Sequence, residues 1–189
     1  MSCPNFSQTL WQHLETQPDL AVLHLLFSNK PDQTYTYREL IQGSLAYAHT
    51  LRKADIHPGE VVVLILQHGE SLPFAFFGAI LHGAVPSILP FLTEKLSPDQ
   101  YRRSLAALFE TTAPAAVITY PEFKNEVLHA LAERPNSVRQ VLLDTEVHLE
   151  AIQSVTELTL EGMTGLDRSP EEIVLLQHSS GTTGLQKGV

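Results

Sequence analysis

The chain has 189 residues, 43% of them hydrophobic, and a formal net charge of −9, which suits one packed domain with part of a second. The negative charge, with no Lys/Arg run longer than a pair, excludes a basic face for nucleic acid. The single cysteine, Cys3, excludes an intrachain disulfide framework and fits a reducing compartment. The first ten residues have no charged segment followed by an apolar core, so they are no secretory signal and the expected location is cytoplasmic.

In chain order, Leu10, Trp11 and Leu14 mark one face of a first helix, with Ser7 as candidate cap and Pro18 as its stop. Residues 21–27 read as a strand and 29–33 as a turn cluster. Thr36 and Glu39 then form a capping box that opens a helix running to about 53, with Leu40, Ile41, Leu45, Ala48 and Leu51 inward. After Pro58-Gly59, residues 61–66 are a continuous apolar run, the pattern of a strand buried on both faces.

Residues 71–93 carry no charge, a length that could cross a membrane. Pro73, Gly78, Gly83, Pro86 and Pro90 interrupt it, and a helix over 72–82, Gly83 as its C′ residue and a strand over 84–89 account for the same letters. Ser97-Pro98-Asp99 starts a helix over 100–109. A strand over 115–120, a helix over 122–133 and a short strand over 140–143 follow. The alternation predicts an α/β fold, a largely parallel sheet with helices on both faces.

Residues 144–172 hold eight carboxylates against Arg168 alone and read as a solvated acidic connector. The expected division is an N-terminal α/β subdomain over 1–143, the connector, and the start of a further subdomain over 173–189. Within that last part Ile173, Val174, Leu175 and Leu176 read as a buried strand. The nine histidines show no H-x-H or H-x-x-H spacing, so no metal site is expected among them.

Ser179-Ser180-Gly181-Thr182-Thr183-Gly184 comes next, with Lys187 three residues on. Glycine lets backbone N–H groups approach an anion closely, the hydroxyls donate to its oxygens, and lysine adds a point charge. The composition suits a polyphosphate cradle, and equally an ordinary Gly/Thr turn between strands. It is neither the common P-loop nor a G-x-S-x-G elbow. His178 receives no catalytic role.

The full string SSGTTGLQKGV resembles the phosphate-binding signature of the adenylate-forming superfamily, which includes acyl-CoA synthetases, fatty acyl-AMP ligases and peptide-synthetase adenylation domains. TYTYREL, ADIHPGEVVVLIL and GAILHGAVPSILP resemble further segments of that family, in family order. Gln186 stands where the family often has proline. The resemblance implies that a carboxylic acid attacks the α-phosphorus of ATP, assisted by Mg2+, and that the acyl group then passes to coenzyme A or to the phosphopantetheine of an acyl carrier protein. It assigns ATP binding to Ser179, Ser180, Gly181, Thr182, Thr183, Gly184 and Lys187, with Lys187 as the catalytic charge. It also implies that the chain is a piece of a larger enzyme, inactive by itself. A non-catalytic phosphate-binding or interaction module is the alternative reading.

Overall fold

The structure, a computed structural model, describes residues 3–91, 97–147, 163–179 and 187–188, with backbone alone at 179, 187 and 188. Helix α1 (Phe6–Thr16) leads into the hairpin β1 (Ala21–Leu25) and β2 (Gln33–Thr36), then α2 (Tyr37–Lys53). Three strand–helix units follow: β3 (Val61–Ile65) and α3 (Ser71–His82), β4 (Val85–Ile88) and α4 (Pro98–Thr112), β5 (Ala116–Thr119) and α5 (Lys124–Glu133). Next comes β6 (Gln140–Leu143), and a short antiparallel pair, β7 (His178–Ser179) and β8 (Lys187–Gly188), follows later in the chain.

Strands β4, β3, β5 and β6 form a four-stranded parallel sheet in that spatial order, with Val61 opposite Val85 and Val62 opposite Ala116. Successive side chains of a strand point to opposite faces, and β3 shows the result. Val62 and Leu64 join the core formed with Leu40, Tyr47, Leu51, Phe74 and Ala79 of α2 and α3. Val63 and Ile65 join the core formed with Leu105, Phe109 and Val127 of α4 and α5. The unbroken apolar run at 61–66 reflects this double burial, and helices do cover both faces.

Local signals place most helix ends. Thr36 and Glu39 cap α2 reciprocally, Ser97 caps α4, and Gly83 ends α3 at φ 89°, a left-handed conformation that costs glycine little. The cap of α1 is Asn5, whose side chain accepts from Gln8 N–H. Ser7 instead donates its hydroxyl to the Ile80 carbonyl, because it already lies inside the first turn of the helix. Residues 33–36 pair as β2, which takes Gln33 out of the expected turn cluster, while Thr36 ends the strand and still caps α2.

The strand expected at the start of the last segment is absent. Residues 173–177 form no strand, and Ile173, Val174 and Leu175 are exposed, at 67%, 40% and 39%. Apolar letters set a preference for burial, but a strand also needs a ladder of backbone partners, and this segment meets the β4 edge through the bond from Leu176 N–H to the Pro86 carbonyl. At the described ends of the acidic stretch, Glu146, Asp167, Glu171 and Glu172 are exposed, with apolar anchors between them. Val147 and Met163 are buried, and Met163 packs with Leu10, Leu14, Ile41 and Leu81. Residues 148–162 lie outside the described residues.

Candidate functional site

Chain order brings the arm 173–179 past the β4 edge and into β7. β7 and β8 pair antiparallel, with His178 opposite Gly188 and Ser179 opposite Lys187. Residues 179 and 187 are thus cross-strand neighbours, so the chain returns Lys187 to the point from which the Gly/Thr stretch departs. Ser180, Gly181, Thr182, Thr183 and Gly184 lie between them, outside the described residues. The backbone brings together the first and last of the expected phosphate-binding residues.

His178 stands at the base of this pair. Burial pushes its imidazole pKa down, and neither ring nitrogen meets a hydrogen-bond partner among the described residues. That favours the neutral ring, since a charged imidazolium there would lose hydration without a partner.

A second polar group gathers at the carboxyl ends of the parallel strands, which residue patterns alone do not reveal. Tyr47 of α2 and Asp144, just past β6, lie close to Ser71 at the start of α3 and to each other. Burial raises the Tyr47 hydroxyl to about 12 and pushes the Asp144 carboxyl up, opposed by backbone N–H groups and Ser71. One Asp144 carboxylate oxygen is buried without a partner among the described residues. Beside this group, the Tyr35 hydroxyl donates to Glu70. The usable signal is topological: polar residues that follow parallel strands collect at one sheet edge, where α/β proteins receive ligands. Composition groups Asp144 with the acidic stretch, and the structure half-buries it at the sheet's carboxyl edge.

Among the described residues, no three His, Cys, Asp or Glu side chains lie close enough to hold a metal ion.

A parallel sheet covered by helices on both faces, followed by a hydroxyl- and glycine-rich stretch of sequence between two paired strands, defines the class as α/β. A family model described as AMP-binding enzyme matches residues 10–189, and the chain belongs to that family. It is 31% identical to 4-coumarate–CoA ligase 2 of Petroselinum crispum over 168 residues, 87% of this chain and 29% of that protein. It is 28% identical to 4-hydroxybenzoate–CoA/benzoate–CoA ligase of Rhodopseudomonas palustris over 161 residues, covering 84% and 28%. The chain thus spans less than a third of these relatives' length. The crystal structure of the fatty acyl-adenylate ligase from L. pneumophila, in complex with acyl adenylate and pyrophosphate, superposes with a TM-score of 0.74 over 99% of this chain and 30% of that one. At 20% identity this shows a shared fold.

Proposed function

We propose that this chain supplies the phosphate-binding loop of an ATP-dependent acid ligase, an enzyme that activates a carboxylic acid as its acyl-adenylate. The observation that carries the reading is the string SSGTTGLQKGV, within which the β7–β8 pairing sets Ser179 opposite Lys187, in a chain of the AMP-binding family.

In the reaction a carboxylate oxygen of the acid bonds to the α-phosphorus of ATP, and the bond from that phosphorus to the β-phosphate bridge breaks, releasing pyrophosphate. The sulfur of a thiol then attacks the acyl carbonyl and AMP leaves. The physical difficulty is charge, because an anionic nucleophile approaches a polyanion. Oriented donors offset that repulsion and stabilise the departing pyrophosphate. Ser179, Ser180, Thr182 and Thr183 supply hydroxyls, Gly181 and Gly184 admit backbone N–H groups to the phosphate oxygens, and Lys187 holds a positive charge at the β/γ end. Names of relatives such as 4-coumarate– and benzoate–CoA ligase support coenzyme A as the thiol and an aromatic acid as the first substrate to try.

The test is ATP–pyrophosphate exchange by the polypeptide that carries this chain, against aromatic, fatty and amino acids, followed by thioester formation with coenzyme A or an acyl carrier protein. Acid-dependent exchange is expected. ATP turnover that no acid stimulates would overturn the reading.

A further inference from the structure

Asn5 carries two separate sets of bonds. Its carboxamide oxygen accepts Gln8 N–H at 2.8 Å and caps α1. Its Nδ2 reaches across the chain to the carbonyls of Gly165 (3.0 Å), Leu166 (3.2 Å) and Arg168 (2.7 Å). Gln8 adds a bond from Nε2 to the Leu166 carbonyl at 2.8 Å. A helix cap needs none of these cross-chain contacts.

The segment so held is also fastened to the corner where α3 ends. Thr164 donates its hydroxyl to the His82 carbonyl, and Arg168 donates Nη1 to the Gly83 carbonyl at 2.5 Å. Gly165 packs so closely that an added Cβ would lie 2.7 Å from the Leu81 carbonyl oxygen and 2.8 Å from the Ser7 hydroxyl. Arg168 turns its other nitrogens to Glu172, and Glu172 accepts Ser169 N–H at 2.7 Å. Residues 163–172 are thus tied to α1 and α3 by side chains on both sides.

The arm that follows contrasts with this. Residues 173–177 have no regular structure, expose Ile173, Val174 and Leu175, and touch β4 through the Leu176–Pro86 bond before β7 begins. Lacking a ladder of its own, the arm takes its direction from the fastening immediately before it. We infer that Asn5 and Arg168 are positioning residues for the arm 173–179 and, through it, for the strand pair that flanks the Gly/Thr stretch. The amino end of the chain thereby sets the placement of a segment that follows a contact 160 residues further on, at Gly165. The structural part stands alone, whereas any effect on ATP rests on the adenylating reading above.

Asn5→Ser separates the two roles, since serine keeps a capping oxygen and removes the carboxamide donors. Hydrogen exchange on the full 189-residue chain is the first measurement. In Asn5→Ser and in Arg168→Lys, exchange at Leu176 and across 178–188 should rise about tenfold, with α1, α2 and β3 within about twofold of the parent. Unchanged exchange at Leu176 and 178–188 overturns the inference, and so does acceleration spread evenly over the molecule. In the polypeptide that catalyses pyrophosphate exchange, both variants should raise the KM for ATP about fivefold or more with the KM for the acid unchanged. A lower kcat with both KM values unchanged marks loss of folded enzyme and counts against positioning. A parent without pyrophosphate exchange removes the adenylating reading, while the hydrogen-exchange outcome still decides whether Asn5 and Arg168 place the arm.

Discussion

His82 closes α3 with its side chain buried, 3% exposed, and Nε2 2.7 Å from the Ile56 carbonyl oxygen. A carbonyl can only accept, so Nε2 carries the proton, and Nδ1 has no partner among the described residues. Burial, with Arg52 and His57 nearby, lowers its pKa from 6.5 against a smaller opposing pull from the Ile56 carbonyl and Glu60. The unfolded chain therefore binds the proton first, and the stability contributed by neutral His82 is present above 6.5 and lost as pH falls below it. Urea denaturation from about pH 7 to 5 should show stability falling with pH, and His82→Gln should flatten that slope. Equal slopes in parent and variant would assign the acid sensitivity elsewhere. Residue-scale chemistry at the loop is tested in the full polypeptide, where Lys187→Ala or Thr183→Ala should slow adenylation by about 10- to 1,000-fold. Rates for both within about twofold of the parent would remove their assignment as transition-state donors.

At the scale of elements, α3 carries most of the uncharged stretch that could be mistaken for a membrane span. It is a 12-residue helix, and no helix among the described residues is long and apolar enough to cross a membrane. Its face against α2 is set by Gly78, where an added Cβ would overlap the Ser44 carbonyl and lie 2.6 Å from Tyr47 Cβ. Gly78→Ala should cost about 1–3 kcal/mol by forcing the two helices apart, read as a lower urea midpoint with an unchanged m-value. An unchanged midpoint would mean the crossing relaxes freely. Ile80, 3% exposed, makes a harsher test, since Ile80→Asp buries an unpaired carboxylate and should remove about 3 kcal/mol or more. A parent-like midpoint for Ile80→Asp would show that the site admits water. These helix boundaries are legible because caps, prolines and Gly83 act over four or five residues. The hairpin strand β2 is less so, because its four residues, Gln33–Thr36, carry one aromatic and no alternation strong enough to outweigh the turn and cap signals around them.

For the whole molecule, the exposed arm residues lie along β4, an edge strand whose Ile88 is itself 45% exposed. An uncovered apolar strip beside a sheet edge invites association. At about 0.1 mM the chain should sediment partly as dimers or larger species, and Val174→Lys should shift it toward monomer. Sedimentation as monomer in both would show the strip to be inert. The amino-acid sequence by itself determined the α/β class, the alternation of elements and the family string, because these rest on periodicities and contiguous letters that need no distant partner. It also marked β3 as central, since a strand buried on both faces must be apolar at every position. Tertiary structure decided what depends on partners far apart in the chain. It turned Asn5 into a clasp on residues 165–168, brought Tyr47 and Asp144 close to Ser71, and left Ile173–Leu175 exposed despite their apolar side chains. Hydrophobicity says that a residue gains by burial, but only the positions of the other elements determine whether a surface is there to bury it.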